Sequence, residues 1–348
     1  MITLYASSVC SYDLCNPLNS PLGRLESYLI PFTAKPFQYH VVKSGQLISL
    51  NLYGLADHWK LLPDTYPFLN PRLRDRLIIR AQSFLPSTLN FGVPICSLLD
   101  VNQWHYSYFH WFIDILPRLL SVCDYQAKSG SFVFLLVPLH LKEWQISSLE
   151  LLGFTSSSLI NLDQSIVKTS ILTSSLISSP AGRAQGVLSA PYDCMSPNVI
   201  TELSKKLSTG ILHSNYELET PKKFYISRKD ALSRRIVNED EVVFFLERYG
   251  YVSVTLDGLP LPQLISLFRE ASHIIAVHGA GLTNLLFSEN ATVVELHAEG
   301  HGIRPDYFQL ASIKGLQYFY HAFPSFNTEN DIVVDVKVLE TLLYCAAS

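Results

Sequence analysis

The stretch His273-Ile274-Ile275-Ala276-Val277-His278-Gly279-Ala280-Gly281-Leu282-Thr283-Asn284 decides the fold of this chain. Its first five residues form a short apolar run with β-branched side chains, which reads as a buried strand. Leu285-Leu286-Phe287 follow and read as a short helix. The two glycines thus sit on a strand-to-helix turn, where a backbone without Cβ atoms turns tightly and lets a ligand come close. The N–H groups that open the helix face the mouth of such a turn and suit a phosphate. Plain strand–helix packing uses the same pattern, so the flanking chain has to decide between the two.

Moving outward, the second half of the chain alternates regularly. Helical spacing over 197–207 precedes a strand at 223–227 and a helix over 238–249, with Asn238 as N-cap and Glu241 at the capping-box position. Strand 251–256 leads to helix 260–271 and the opening stretch. Strand 292–296, helix 305–314, strand 317–321 and helix 336–345 complete the series. Repeated β-α units of this length predict a parallel sheet with helices on both faces. Ligands of such sheets bind outside the carboxyl ends of the strands. Three polar clusters fall there: Ser227-Arg228, residues 278–284, and Glu295-Leu296-His297.

The first half is less regular. Residues 1–95 are rich in Pro, Tyr and Leu, with extended runs at 37–42 and 46–50 and no assignable architecture. A strand at 94–99 leads to an aromatic stretch and then to a helix from His110, with Phe112, Ile115, Leu116 and Leu119 as its core stripe. Pro117 predicts a kink or a break. His110, Asp114 and Arg118 follow at steps of four and predict one polar row on that helix. Strand 131–137, helix 142–152 ending at Gly153, and strand 171–177 come next. Gly182, Gly186, Pro191 and Pro197 mark the boundary between domains 1–190 and 191–348, with the last helix free to pack back on the first domain.

Composition narrows the function. A chain of 348 residues exceeds one typical domain, and 48% hydrophobic residues with 12% aromatics supply substantial cores. The formal net charge of −4 lacks the basic excess of a nucleic-acid binder, so an anionic ligand must be held by a local pocket. Six scattered cysteines without metal-site spacing read as reduced thiols. Met1 opens no basic-then-apolar segment and no run reaches a membrane-span length, which predicts a cytoplasmic protein. Low charge leaves peripheral membrane contact open.

Several chemistries compete for the clusters. Arg228, Lys229, Arg234 and Arg235 gather at one strand end and the loop after it, a group able to neutralise a diphosphate or to stand as a solvated basic loop. Glu295 on an apolar strand could accept hydrogen bonds from ribose hydroxyls, cap a helix, or pair with an arginine. A dinucleotide fold lacks its third glycine, since the pattern runs Gly279-x-Gly281-x-x-Asn284. His297 and His301 stand four apart in a glycine-flanked loop, which makes a poor metal motif, so no metal is expected. No Gly-x-Ser-x-Gly elbow occurs, and a His-x₄-Asp acyltransferase would need an acid where Ile115 stands.

Together the clusters resemble glycosyltransferase family 61, which includes capsular-polysaccharide-type bacterial members and eukaryotic xylosyl- and N-acetylglucosaminyltransferases. Residues 108–118 resemble its Tyr-Tyr-His-Trp…Asp/Glu…Leu-Pro-Arg signature, with Phe109 at the usual second tyrosine. Tyr225-Ile226-Ser227-Arg228 followed by Arg235 and Asn238-Glu239 resembles its Ile-Ser-Arg…Arg…Asn-Glu block. Residues 277–284 with Phe287 and Glu295 resemble its His-Gly-Ala-Gly-Leu-Thr-Asn…Phe…Glu block. The resemblance implies an α/β GT-B fold of two Rossmann-like domains facing a cleft, the second holding the nucleotide sugar. It implies inverting transfer from a UDP-sugar to a hydroxyl of a glycan or other acceptor, with no cofactor or metal. The donor site would comprise Ser227, Arg228, Arg235, His278, Gly279, Ala280, Gly281, Thr283, Asn284 and Glu295. An acceptor base is needed as well, and Asp114 is the first candidate, with His110 as alternative base or orienting group. A row of His110, Asp114 and Arg118 could also be structural, and a family member that binds nucleotide or glycan without turnover is the competing class.

Overall fold

The computed structural model of the chain describes residues 2–5, 8–10, 32–34, 37–48, 53–56, 60–61, 87–99, 104–162, 171–180, 183–184, 194–211, 220–302 and 304–347. It shows a mixed α/β protein of two compact units, one holding Thr33–Leu207 with the N-terminal residues through Val9, the other Ser208–Ser348. Gly182, Gly186 and Pro191, on which the sequence boundary rests, lie outside the described residues. The division between units falls inside the helix Pro197–Ile211. No helix among the described residues is long and apolar enough to cross a membrane.

In the first unit, strands β1 (Phe37–Ile48), β2 (Ile95–Ser97), β3 (Phe134–Pro138), β4 (Leu159–Leu162) and β5 (Ile171–Ser178) form the body of a nine-stranded sheet. The runs at 37–42 and 46–48 are therefore one long strand. The order β4-β3-β2-β5 is parallel throughout, and β1 then pairs antiparallel with β5. Helical chain crosses from β2 to β3, ending in α1 (Arg118–Ser129), and α2 (Glu143–Leu151) crosses from β3 to β4. Ile95, Leu99, Leu136, Leu162 and Leu176 form the apolar core of this sheet.

The predicted break at Pro117 is present, and its form matters. Residues Trp111–Ile115 adopt a π-turn, in which the Leu116 N–H bonds the Trp111 carbonyl at 2.8 Å, and α1 restarts after Pro117. Proline supplies no N–H to continue the ladder, so widening the preceding turn satisfies the backbone. Phe112, Ile115, Leu116 and Leu119 still reach the interior and are all buried.

The second unit is the sheet the opening stretch predicts. Strands β6 (Lys223–Ile226), β7 (Val252–Val254), β8 (His273–Val277), β9 (Thr292–Ala298) and β10 (Gln317–Phe323) lie in the order β7-β6-β8-β9-β10, all parallel. Helices α4 (Glu239–Glu247), α5 (Leu261–Glu270), α6 (Asp306–Ile313) and α7 (Val336–Ala347) cover it, α3 being Pro197–Ile211. Val242 and Leu246 of α4 and Leu339, Leu342 and Leu343 of α7 share one core with Ile275, Val277, Val294 and Leu296. The last helix thus belongs to this unit's own core, where each buried leucine contributes about 1.5–3 kcal/mol. On the other face Phe224 packs against Phe268 of α5, and Tyr318 against Phe308 of α6.

This strand order reverses direction between β6 and β8. That reversal opens a crevice at the carboxyl ends of the two strands, the usual ligand position in such sheets. Ser227-Arg228 leaves one strand there and His278-Gly279 leaves the other.

Candidate functional site

The His278 N–H extends the ladder by one more bond, to the Leu296 carbonyl at 2.9 Å. Gly279 then starts a 3₁₀ turn, Ala280–Phe287, where the sequence predicts an ordinary helix. The two glycines do different work. A Cβ on Gly279 would stand 2.3 Å from Arg228 Nη1, so its bare Cα makes room for a guanidinium. A Cβ on Gly281 would meet Leu256 and Ile226, so that glycine allows the turn to pack on β6. Ala280 is exposed beside them, while Thr283 and Asn284 are buried, Asn284 donating from its side chain to the Gly281 carbonyl at 3.0 Å. Asn284 thus braces the turn from within.

Arg228 is held at this mouth by backbone carbonyls: its Nε donates to the Arg234 carbonyl at 3.1 Å and its Nη2 to the Ser233 carbonyl at 3.0 Å. Ser227 accepts at Oγ from the Lys229 N–H at 3.3 Å, closing the bend after β6. The second arginine at the turn is Arg234, not Arg235. Arg234 Nη1 donates to the His278 carbonyl at 2.9 Å, and its backbone takes a positive φ of 56°. Left-handed backbone is costly for a side chain this size, and such strain collects where a side chain must be aimed. Arg235 points elsewhere: its backbone N–H and its guanidinium all bond Asp331, at 2.8 to 3.2 Å. Arg235, expected at the phosphate, is thus engaged with Asp331 in this structure, while Arg234 stands at the turn. Asn238 is likewise not a side-chain cap; its amide exchanges hydrogen bonds with the Val334 backbone.

Glu295 is also placed differently from expectation. It is fully buried, its Oε1 lies 2.5 Å from His278 Nδ1, and its Oε2 accepts from the Tyr318 hydroxyl. With both oxygens engaged inside the protein, it supports His278 and does not present an open carboxylate to a ribose. Burial pushes Glu295 up to about 7, against the lowering influence of His297 and Tyr318.

The electrostatic character of the mouth follows from its neighbours. Burial pushes His278 down to about 3, opposed by Asp306 and reinforced by Arg234, Arg304 and Arg228. Burial and the same three arginines push His301 down to about 4. Rings of His301 and Tyr307 lie 5.5 and 5.0 Å from that of His278. Arg228 and Arg234 beside the turn, with Arg304 adding to their field at His278 and His301, give this mouth a local positive character in a chain of net negative charge. Arg304 and Tyr307 escaped the sequence reading because they follow β9, one strand away from the switch point, and His301 entered it only as half of a poor metal motif.

The second constellation lies in the first unit. His110 Nδ1 is 2.7 Å from Asp114 Oδ2, as their spacing of four predicts. Arg118 does not extend the row. The π-turn shifts the helical phase, and Arg118 Nη1 donates to the Ser97 and Leu99 carbonyls at 3.1 and 3.3 Å, tying off the end of β2. Arg183, from a different part of the chain, takes its place: Nε donates to Asp114 Oδ1 at 2.9 Å and Nη2 to Oδ2 at 2.8 Å. Its guanidinium lies over the Phe109 ring, 5.2 Å from the centroid. Asp114 is 1% exposed; burial alone would raise it, but Arg183 and His110 hold its carboxyl below the usual range. His110 Nδ1 faces two partners, Asp114 Oδ2 at 2.7 Å and Arg183 Nη2 at 3.1 Å; the carboxylate only accepts and the guanidinium only donates, and the shorter contact is the one that a proton on Nδ1 satisfies. The structure thus brings Asp114 and His110 together with His110 as the more exposed member, at 23% against 1%.

A parallel sheet with two arginines beside the turn at its switch point, and an Asp–His pair in a separate unit, are the two polar constellations of this two-unit α/β protein. Residues 108–294, more than half of the chain, match the family described as Glycosyltransferase 61, and the chain belongs to that family. The match begins at Tyr108, beside the Asp–His pair, and ends beside Glu295. Among similar proteins, the EGF domain-specific O-linked N-acetylglucosamine transferase of Drosophila melanogaster is 35% identical over 99 residues, 27% of this chain and 18% of that protein. The Protein O-linked-mannose beta-1,4-N-acetylglucosaminyltransferase 2 of Takifugu rubripes is 34% identical over 131 residues, 34% of this chain and 21% of that protein. Its Homo sapiens counterpart is 25% identical over 146 residues, 40% of this chain and 25% of that protein. The matched stretches span a quarter or less of these relatives.

Proposed function

We propose that this protein is an inverting glycosyltransferase of GT-B architecture, moving a sugar from a UDP-sugar to a hydroxyl of a glycan or similar acceptor. The observation that carries the reading is the convergence of Arg228 and Arg234 on the Gly279 turn, at the switch point of a parallel sheet. In this reading the acceptor O–H gives its proton to His110 Nε2, and its oxygen attacks the anomeric carbon. The bond from that carbon to the diphosphate breaks, and UDP leaves with the electron pair. Its added negative charge falls on Arg228, Arg234 and the N–H groups of the turn, donors already in place before the reaction. A transfer step met in this way by guanidinium groups has no need of a metal ion.

Asp114 then acts as the positioning residue. It fixes the Nδ1–H tautomer and stabilises the imidazolium that forms, while Arg183 keeps it ionised. Both relatives are named for N-acetylglucosamine transfer, which makes UDP-N-acetylglucosamine the first donor to test. The deciding experiment is calorimetry with UDP combined with donor hydrolysis over a panel of UDP-sugars. Binding with turnover supports the transferase; binding without turnover identifies a non-catalytic nucleotide binder; no binding overturns the reading of the turn.

A further inference from the structure

We propose that His278, Glu295 and His297 form a binding site for a divalent transition-metal ion of the zinc type, beneath the Gly279 turn. Their ligand atoms all lie within 4.8 Å of one another, and all three residues are buried. The sheet itself assembles this cluster. Glu295 and His297 are two apart on β9 and project to one face, and the parallel register that pairs Val277 with Leu296 carries His278 to the side of His297. The rings of His278 and His297 stack at 5.1 Å with 27° between their planes.

An independent observation points to a ligand. Both ring nitrogens of His297 are buried and have no hydrogen-bond partner among the described residues, in a side chain that is 0% exposed. Its Nε2 faces Glu295 Oε1 at 3.6 Å, too far for a hydrogen bond but on the same oxygen that His278 approaches. A buried imidazole with neither nitrogen satisfied is uncommon, and an ion in this cluster would engage Nε2, the nitrogen that faces Glu295. One carboxylate oxygen flanked by two imidazoles is a donor set of the His₂Glu kind that zinc accepts. In tetrahedral geometry zinc–ligand bonds of about 2.0–2.2 Å set donors about 3.3–3.6 Å apart, between the 2.5 Å that separates His278 Nδ1 from Glu295 Oε1 and the 4.8 Å limit of the cluster.

Tyr318, which donates to Glu295 Oε2, is the outer partner that orients the carboxylate, as such groups do around metal ligands. The histidine that completes the pair is 278, from the neighbouring strand, and not His301 four residues along the chain. With every donor covered by protein, the ion braces the turn from below, whatever that turn binds above.

The test uses the whole chain. Protein stripped with a chelator, incubated with Zn²⁺ and desalted should retain about one zinc per chain by elemental analysis, and its Tm should rise with added Zn²⁺. Cobalt substitution should give visible absorption bands that differ from those of free Co²⁺. His297→Gln and Glu295→Gln should each weaken Zn²⁺ binding at least about tenfold, since removal of one ligand is felt directly. Retention of no zinc by the wild-type chain, or unchanged affinity in both variants, overturns the site. Should the variants not fold, the cobalt spectrum of the wild-type chain decides, and a spectrum unchanged from free Co²⁺ also overturns it.

Discussion

Arg228 Nη1 occupies the space that a side chain on Gly279 would need, with the virtual Cβ only 2.3 Å away. The glycine of the turn and the arginine of the preceding strand end are therefore one device, made from residues fifty-one positions apart.

Gly279→Ala should leave the fold intact, because the atom it meets is the far end of a flexible side chain, and should displace the guanidinium. Loss of one charge-assisted hydrogen bond of about 1.5–3 kcal/mol predicts UDP binding weakened about 10- to 100-fold. Calorimetry with UDP checks this; unchanged affinity would remove Arg228 from the anion site.

Arg234 and Arg235 should separate cleanly. Arg234→Gly should weaken UDP binding by a similar factor while leaving Tm unchanged or higher, because glycine adopts a φ of 56° without strain. Arg235→Ala should lower Tm and leave UDP affinity unchanged, since its hydrogen bonds go to Asp331. The opposite pattern in paired calorimetry and thermal unfolding would restore Arg235 to the phosphate.

His110→Gln should lower kcat about 10²- to 10⁴-fold with UDP affinity unchanged, the usual range for loss of a general base. Asp114→Ala should cost about 3–5 kcal/mol of stability, because it leaves the Arg183 guanidinium buried without its counter-charge. Asp114→Asn, read by the pH profile of kcat, tests the positioning role where the alanine variant is too unstable to assay.

Acid should unfold the two units through different carboxylates. Asp114 has a folded pKa below its unfolded value, so its contribution is present above the ordinary carboxylate range and is lost as pH falls through the depressed folded value. Asp331 behaves alike: burial would raise it, but bonds from Arg235 and Asn327 hold it at about 2, so its contribution fades between about pH 4 and 2. Arg235→Ala should therefore shift the acid transition of the second unit toward higher pH, measurable by circular dichroism. An unmoved midpoint would show that the Asp331 pair contributes nothing.

Much of this was open to sequence reasoning where the pattern is local. Residues 273–277 are apolar and β-branched, so the strand and the turn after it follow from neighbours along the chain. His110 and Asp114 meet because they are one helical step apart. Arg118 fails for a local reason with a non-local effect: the widened turn before Pro117 shifts the phase, which no count of fours anticipates.

What the sequence by itself determined is the alternation of strands and helices in the second unit, the placing of Ser227-Arg228 and of residues 278–284 at strand ends, and membership of the glycosyltransferase 61 family, whereas Glu295 and His297, expected at a strand end, lie inside β9. Only the tertiary structure decided which side chain fills each role. Arg183 reaches Asp114 across sixty-nine residues, Arg234 displaces Arg235 at the turn, and Glu295 turns inward to His278 and Tyr318. The reason is physical: periodicity sets the direction of a side chain on its own element. The partner of a buried charge is set by whatever the fold brings to the same low-dielectric space, and an unpaired charge there is too costly to keep.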